Sequence, residues 1–402
     1  MTDRVLPYGK QLIDDDDVAA VATQLRDDWL TQGPTVARFE AALCEITGAQ
    51  YAVAVSSGTA ALHLACLAAG VGPGGVGITS TNTFVASANA IRYCGGRPRM
   101  VDVDADTGLM SMSGLEAAVD ELGVAGQRPR VIVPVDFSGA TADLVGVERV
   151  AQACGAVVIE DAAHSLGAEY VHGGQTYRAA SCAHTAMAIL SFHPVKHLTT
   201  AEGGAITTND PALYAKLLEL RTHGITRDPA KLTRNDGPWY QEQQSLGYNY
   251  RLTDIQCALG VSQARKFPGF LARRRAIAVA YDAAFARAPF TSRMEPLRVP
   301  PGVSSAYHLY VVRVVARDGE SLEGIAARRK QAYMLLREKG IFPQVHYVPV
   351  HMHPDYQQFV AGQHFTGADA HYASCLSLPM YPALSDSDVQ RVIAALGDIA
   401  SA

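Results

Sequence analysis

The sequence is poor in charged residues, and its charges nearly cancel. Asp, Glu, Lys and Arg make up 18% of the 402 residues, and the formal net charge at pH 7 is −5. Apolar residues make up 48%, whereas a disordered chain has fewer apolar residues and a larger net charge. A small negative charge provides no electrostatic attraction to nucleic acid or to an anionic membrane. We therefore expect a globular protein that binds neither nucleic acid nor membrane.

Cysteine is also scarce, and its spacing is irregular. The seven cysteines form no C-x-x-C pair and their number is odd, so we expect reduced thiols without a disulfide framework or a metal site. The first residues, MTDRVLPYGKQLIDDDD, lack the basic and apolar segments of a secretory signal. The longest apolar stretch, residues 51–72, is interrupted by Ser, Thr and His and does not predict a membrane-spanning helix. These absences indicate a cytoplasmic protein.

Apolar runs alternate with helical segments through the first half of the chain. The predicted strands are YAVAVS, GITS, RPRMVDVD, RVIVPVDF and AVVIED. Continuous apolar strands separated by helices predict an α/β fold with a mostly parallel sheet covered on both faces.

The pattern changes in the second half of the chain. Helices are expected at residues 251–267 and 269–289, and the strands HLYVVRVV and VHYVPVH then alternate with two further helices. We therefore predict a large domain at residues 1–267, including an N-terminal arm, and a small C-terminal α+β domain at residues 268–402.

Three groups of polar residues are expected at the carboxyl ends of strands, where open α/β sheets bind ligands. The turn Ser56–Thr59 precedes a helix, so it is either a phosphate-binding turn or a simple helix cap. Asp161 ends a strand and is either a ligand-binding acid or a helix N-cap, and His164 after it is either functional or structural. Lys196 is either a solvated lysine or a buried one that reacts with carbonyls.

Their order along the chain favours the functional alternatives. A phosphate-binding turn, an acid at a strand end and a lysine about 35 residues later are what pyridoxal 5′-phosphate (PLP) requires. The lysine forms a Schiff base with the cofactor, the acid keeps the pyridine nitrogen protonated, and the helix N-terminus holds the phosphate. The sequence therefore predicts a PLP-dependent enzyme.

The sequence resembles the DegT/DnrJ/EryC1/StrS family of PLP-dependent nucleotide-sugar aminotransferases. The resemblance extends over nearly the whole chain and is carried by LTQGP, SSGTAALHLA, NTFVASANAI, EDAAHSLGAEY, SFHPVKHLTTAEGGAITTND, LGYNYRLTDIQCALG and VHYVPVH. It implies a PLP-dependent transferase fold of type I, with a large domain, a small C-terminal domain and a homodimer with shared active sites.

The resemblance also implies roles for individual residues. Lys196 would form the Schiff base, Asp161 would meet the pyridine nitrogen, and His164 would lie near the cofactor ring. Phe84 would stack on the ring, and core packing is the alternative for this residue. The residues implied to bind the phosphate are Ser57, Gly58, Thr59 and Ser191, with Asn249 reaching it across the dimer.

Within the family, SFHPVKHLTTAEGG, VHYVPVH and LPYGKQ are most similar to the UDP-4-amino-4,6-dideoxy-N-acetyl-β-L-altrosamine transaminases of pseudaminic acid synthesis. This branch implies that L-glutamate converts the cofactor to pyridoxamine 5′-phosphate (PMP) and leaves 2-oxoglutarate. The PMP amine would then be transferred to the C4 ketone of a 4-keto-6-deoxy nucleotide sugar. The residues implied to bind that substrate are Tyr8, Asp28, Trp29, Leu30, Thr31, Val345, His346, Tyr347 and Val348.

Other functions on the same fold are considered as alternatives. Sugar dehydratases of the family replace the Schiff-base lysine with histidine, so Lys196 favours aminotransfer. A non-catalytic regulator is disfavoured by the intact Lys196, Asp161 and Asn249. An aminotransferase for another keto-sugar nucleotide, of an O-antigen or an antibiotic, stays open. Residues 225–245 receive no interpretation.

Overall fold

The computed structural model describes residues 5–401. Its strands are β1 (Leu6–Pro7), β2 (Tyr51–Val55), β3 (Val76–Ser80), β4 (Arg97–Val101), β5 (Pro129–Val133), β6 (Val157–Asp161), β7 (Glu169–His172), β8 (Gln175–Arg178), β9 (Met187–Ser191), β10 (Gly204–Thr208), β11 (Ile225–Thr226), β12 (Glu242–Gln243), β13 (Met294–Pro296), β14 (Val303–Ser304), β15 (Tyr310–Val314), β16 (Ile341–Phe342) and β17 (Cys375–Leu378). Its helices are α1 (Asp15–Gln24), α2 (Pro34–Thr47), α3 (Gly58–Ala68), α4 (Ala86–Tyr93), α5 (Met112–Val124), α6 (Leu144–Cys154), α7 (Pro211–Arg221), α8 (Asp254–Phe285), α9 (Leu322–Glu338), α10 (Gln357–Val360), α11 (Thr366–Ser374) and α12 (Asp386–Ser401). Among the described residues, no helix is long and apolar enough to cross a membrane.

A seven-stranded sheet forms the centre of the N-terminal part. Its order is β2-β10-β9-β6-β5-β3-β4, and every neighbouring pair is parallel except the two pairs that involve β10. The α/β class and the mostly parallel sheet predicted from the apolar runs are therefore confirmed. A smaller sheet of β14, β7 and β8, which the sequence did not predict, lies outside it.

Successive side chains of β2 point to opposite faces of the sheet, and helices cover both faces. Val53 and Val55 pack in one cluster with residues of α3, α4 and α7. Ala52 and Ala54, which point to the opposite face, pack in another cluster with residues of α2 and α8. Each face buries apolar side chains, so the strand has to be apolar throughout.

The C-terminal part has its own core. The antiparallel sheet β13-β15-β17 shares a buried apolar cluster with residues of α8, α9 and α12. Strand β1 pairs in parallel with β16, so the N-terminal segment crosses to this part and brings Tyr8 with it. The Tyr8 carbonyl then accepts a hydrogen bond from the Met380 N–H at 2.9 Å.

The two helices expected at residues 251–267 and 269–289 form one helix, α8, and this part of the prediction is wrong. Pro268 lies inside α8 and has no N–H to donate to the preceding turn. The helix continues because it packs against α1 and α2 at one end and against the C-terminal cluster at the other. The domain boundary predicted at 267/268 therefore falls within a continuous helix, and the division into two domains stays a prediction.

The strand predicted for VHYVPVH is also wrong. The chain pairs with β17 only at Gln344, and the Tyr347 N–H bonds to Asn82 Oδ1 at 3.3 Å instead of to a strand. Pro349 then removes another backbone donor, and a 3₁₀ turn follows at Val350–Met352. Two consecutive residues of this segment, His346 and Tyr347, line a cavity instead of joining a sheet.

Candidate active site

A cavity of about 400 Å³ lies where β2, β6 and β9 end. This is the edge of the sheet at which the sequence placed the candidate residues. The predicted residues that line the cavity are Tyr8, Ser57, Gly58, Thr59, Phe84, Asp161, His164, Ser191, Lys196, His346 and Tyr347. The fold thus brings together residues from the N-terminal arm, the central sheet and the C-terminal part.

Lys196 lies in the turn that follows β9 and faces the cavity. Its N–H donates to the His193 carbonyl at 2.9 Å, which fixes the turn, and no described residue bonds to its Nζ atom. Burial lowers the pKa of Lys196 to about 8, and the charge of Asp161 opposes this shift. A lysine with this pKa has an unprotonated, nucleophilic fraction near neutral pH.

Asp161 is a buried acid at the end of β6. Its Oδ2 atom accepts a hydrogen bond from Ser87 Oγ at 2.6 Å, and its Oδ1 atom accepts one from the Ala163 N–H at 3.2 Å. Burial raises the pKa of Asp161, while these two bonds and the charge of Lys196 oppose the rise. The N-cap interpretation is wrong because a turn at residues 163–167, not a helix, follows Asp161.

The turn before α3 lies directly against the end of β9 and the start of β10. Ser57 caps the helix, since its Oγ accepts from the Ala60 N–H at 3.1 Å. A Cβ atom on Gly58 would lie 3.0 Å from the Ser191 Cβ, and a Cβ on Gly204 would lie 2.5 Å from the Ser57 carbonyl carbon. Glycine at these positions lets the segments meet, and no described residue bonds to the hydroxyl of Ser191.

His164 and Tyr347 form a polar pair in the cavity wall. Tyr347 Oη and His164 Nε2 are 3.0 Å apart, while His164 Nδ1 is buried without a partner. Burial lowers the pKa of His164 well below its ordinary value and raises that of Tyr347, so both groups are neutral near pH 7. Burial also lowers the pKa of His346, to about 3.

Phe84 is exposed to the cavity. Its side chain is 60% accessible, so the core-packing alternative is wrong. Its ring centroid lies 6.2 Å from that of Tyr347. An exposed aromatic ring at the mouth of a cavity is available to stack on a planar ligand.

Several predicted residues lie away from the cavity of their own chain. Asn249 is exposed. The N–H groups of Tyr248 and Tyr250 beside it donate to the carbonyls of residues 220 and 221, and the His223 N–H donates to the Tyr248 carbonyl. Trp29 and Leu30 are 55% and 45% accessible, and Asp28 and Thr31 beside them are exposed too. Val345 packs in the C-terminal core, and Val348 is 41% accessible.

The structure adds cavity residues that the sequence did not single out. They include Thr83, Ser87, Asp136, His193, Glu202 and His308. Ser87 lies three positions after the predicted Phe84. In a helical segment this spacing places two side chains side by side, which is a signal that could have indicated Ser87. His308 opens the predicted strand HLYVVRVV, but nothing in that pattern indicates that its side chain faces Lys196. Among the described residues, no group of three or more acidic, histidine or cysteine side chains is placed to hold a metal ion.

Comparisons with known proteins agree with this geometry. The family model described as the DegT/DnrJ/EryC1/StrS aminotransferase family matches residues 11–397. The spore coat polysaccharide biosynthesis protein SpsC of Bacillus subtilis (strain 168) is 38% identical over 396 residues, which cover 98% of this chain and 97% of SpsC.

Two solved structures are similar over their full length. Helicobacter pylori PseC, an aminotransferase involved in the biosynthesis of pseudoaminic acid, is 29% identical with a TM-score of 0.85, covering 99% of this chain and 100% of PseC. The PLP form of Spr1654 from Streptococcus pneumoniae is 30% identical with a TM-score of 0.85, covering 99% of each chain. The fold is therefore that of the type I PLP-dependent aminotransferases, and the cofactor is PLP. This chain belongs to the DegT/DnrJ/EryC1/StrS family and is a sugar aminotransferase.

Proposed function

We propose that this enzyme transfers an amino group from L-glutamate to the C4 ketone of a 4-keto-6-deoxy nucleotide sugar. The sugar is of the UDP-4-keto-6-deoxy-N-acetyl-β-L-altrosamine type that leads to pseudaminic acid. One observation carries the proposal: Tyr8, His346 and Tyr347, three of the nine residues expected to bind this substrate, line the same cavity as Lys196. The likeness to Helicobacter pylori PseC supports this choice of sugar.

The walls of the cavity fit PLP. The N-terminus of α3 and the free hydroxyl of Ser191 suit a phosphate, which the helix dipole stabilises. A cationic ring nitrogen beside the buried Asp161 would stabilise the charged form of that carboxylate. When bound, PLP supplies an aldehyde for a lysine amine and a ring that withdraws electrons from the substrate. We assign the covalent attachment to Lys196.

Lys196 is also the proposed general base. Its pKa of about 8 lies close to neutral pH, which favours proton transfer in both directions. With PLP bound, its Nζ atom would take up and return the proton of the substrate carbon that carries the nitrogen. The neutral pair of His164 and Tyr347 forms the adjoining wall, and its hydrogen bond fixes the orientation of the imidazole ring.

A second candidate is an aminotransferase for a different keto-sugar nucleotide that is used in a surface polysaccharide. The observation that favours it is the 38% identity to SpsC, a spore coat polysaccharide biosynthesis protein, over 98% of this chain. The two candidates share the amino donor and the cofactor and differ only in the sugar and its nucleotide.

A substrate panel separates the two candidates. We expect the UDP-linked 4-keto-6-deoxy-N-acetyl-L-altrosamine substrate to give the highest kcat/KM with glutamate. The margin should be at least about 10-fold over analogues with another nucleotide or C2 substituent, the scale expected for lost pocket contacts. The products are quantified by chromatography and mass spectrometry. A higher kcat/KM for a different keto-sugar would favour the second candidate, and no turnover of any keto-sugar would contradict both.

We further propose a homodimer in which each cavity is completed by Asn249 of the partner subunit. Asn249 is exposed and does not line its own cavity, and the backbone around it is fixed by hydrogen bonds with residues 220–223 and with Ser56. Apolar side chains exposed on and after α1 include Val18 at 59%, Leu25 at 56% and Trp29 at 55%. Several large apolar side chains exposed on one segment are typical of an interface.

Mixing two inactive variants tests this arrangement. In a heterodimer of Lys196→Ala and Asn249→Ala chains, one site carries both lesions and the other carries neither. After complete subunit exchange, about a quarter of the wild-type activity should return, because half of the dimers have one intact site. Exchange is verified by native mass spectrometry, and each variant alone is the control. Verified exchange without recovered activity, or an active species that sediments as a monomer, would contradict the shared site.

A further inference from the structure

His308 enters the cavity from the C-terminal part of the chain. It lines the same space as Lys196 and is only 4% accessible. Its Nδ1 atom is fully enclosed without a hydrogen-bond partner, and no described residue bonds to its Nε2 atom. His308 is thus a buried imidazole with neither nitrogen bonded to the protein.

The lack of ring hydrogen bonds distinguishes His308 from the other buried histidines. Every other buried histidine of the described chain has at least one ring hydrogen bond. They are His63 to Tyr250, His164 to Tyr347, His197 to the Ala306 carbonyl, His346 to Ser377, and His371 to the His346 carbonyl. A buried polar atom without a partner destabilises the folded protein, because it loses the hydrogen bond that it makes to water in the unfolded chain. Such a cost at a cavity wall is relieved when a ligand supplies the missing partner.

The backbone holds His308 in this position. Arg274, fully buried in α8, donates from Nη1 to the His308 and Tyr307 carbonyls at 3.1 Å each. The Leu309 N–H donates to the Ser138 carbonyl at 3.2 Å. A Cβ atom on Gly139 would lie 2.8 Å from the His308 nitrogen, so the two segments are in direct contact. The backbone at His308 is therefore fixed beside the cavity.

The surroundings keep His308 neutral. Burial, together with the neighbouring charges that include Lys196 and Arg274, lowers the pKa of His308 well below its ordinary value. A neutral imidazole carries one N–H donor. The His308 and His164 ring centroids are 4.2 Å apart, and His164 Nδ1 is likewise buried without a partner. Two adjacent imidazoles thus have unsatisfied nitrogens at one point of the wall.

Anionic groups in this cavity have few other partners. Among the described residues that line it, Lys196 is the only lysine or arginine. We propose that His308 donates a hydrogen bond to an anionic oxygen of the molecule bound beside Lys196. The oxygen belongs either to the cofactor ring or to a carboxylate of the amino donor, and the second source rests on the proposed use of glutamate. In both cases His308 is a ligand-binding residue of the aminotransferase site.

Three substitutions test the proposal in PLP-loaded protein. His308→Phe keeps a ring and removes both nitrogens, His308→Asn places an amide near Nδ1, and His308→Gln places one near Nε2. The first measurement is the pH titration of the absorbance of bound PLP. The second is the Kd of 2-oxoglutarate, which cannot accept an amino group from the PLP form.

A ring oxygen as the partner predicts that His308→Phe moves the apparent pKa of the bound cofactor by at least about one unit. A donor carboxylate as the partner predicts a rise of at least about 10-fold in the Kd of 2-oxoglutarate. In either case, His308→Asn or His308→Gln should keep the affected constant within about threefold of wild type. This constant is the proton-dissociation constant of bound PLP or the Kd of 2-oxoglutarate, and the variant that keeps it identifies the donor nitrogen. If wild-type protein does not bind 2-oxoglutarate, the use of glutamate is contradicted and the titration alone decides about His308.

Folding is checked by circular dichroism and thermal melting. The proposal would be overturned if folded His308→Phe changes neither the proton-dissociation constant of bound PLP nor the Kd of 2-oxoglutarate by more than about twofold. If His308→Phe does not fold, the other two variants decide. A difference between His308→Asn and His308→Gln in the titration of bound PLP or in the Kd of 2-oxoglutarate supports the proposal, and equal results in both measurements overturn it. His197→Phe is the matched control, because His197 neighbours His308, with ring centroids 5.6 Å apart, but does not line the cavity. An equally large effect in this control would mean general disruption and would overturn the assignment.

Discussion

Lys196→Ala should lower the rate of transamination at least about 10³-fold, because one substitution removes both the covalent attachment and the general base. Among the described residues, none bonds to its Nζ atom and no other lysine lines the cavity, so no second amine is placed to form the covalent attachment. The absorbance band of covalently bound PLP should be absent. The rate is measured in a single turnover with L-glutamate from the 2-oxoglutarate formed, and the band of covalently bound PLP is followed by absorbance.

The fold should tolerate this loss. Burial lowers the folded-state pKa of Lys196 to about 8, below its ordinary value, so the folded protein binds that proton less tightly than the unfolded chain. At pH values below the folded pKa the charged amine therefore opposes folding, and alanine removes this cost. The Tm of the cofactor-free variant should equal or exceed that of wild type at pH 7. If the inactive variant has a clearly lower Tm, its loss of transamination activity is explained by misfolding.

Lys196→Arg is the matched control for charge. Arginine stays protonated and can neither attach PLP nor act as a base, so we expect it to be as inactive as alanine. A small amine such as methylamine should restore part of the rate of Lys196→Ala, because it fits the space that the side chain vacates, but should not restore Lys196→Arg. Turnover by either variant near the wild-type rate without added amine would contradict the assignment of Lys196.

The elements that bear the site could be predicted because their signals are local. Apolar runs such as that of β2 are contiguous in sequence. Asp161 and Lys196 stood out because each interrupts or follows an apolar strand with a group that such a position rarely accommodates. Resemblance to the family then supplied the roles that spacing alone left open.

The remainder depends on contacts that sequence patterns do not contain. Ser87 donates to Asp161 across 74 positions of the chain, and the Tyr347 N–H reaches Asn82 across 265. His308 lies beside His164 only because α8 and the segment after β14 fold back over the sheet. The strand prediction for VHYVPVH fails for the same reason, since the Tyr347 N–H bonds to Asn82 and the consecutive His346 and Tyr347 line the cavity.

Asp161→Asn should reduce kcat at least about 100-fold, equivalent to ~2.7 kcal/mol in the barrier, while PLP still attaches to Lys196. The asparagine amide has nearly the shape of the carboxylate, but it carries no charge to keep the ring nitrogen protonated, so the cofactor withdraws electrons less strongly. The attachment should persist because Lys196 is unchanged, and the removal of the Asp161 charge lowers the pKa of Lys196 further. Spectroscopic titration of bound PLP and single-turnover rates with glutamate separate these two effects.

Ser87→Ala provides the control that separates the charge of Asp161 from its orientation. The Ser87 hydroxyl donates to Asp161 Oδ2 at 2.6 Å, and removing it leaves the carboxylate charged but less firmly held. A hydrogen bond to a charged group contributes about 1.5–3 kcal/mol, so this variant should lose between roughly 10-fold and 150-fold in kcat. It should stay more active than Asp161→Asn if charge dominates. If Asp161→Asn stays within about twofold of wild type, Asp161 has only a structural role at the end of β6.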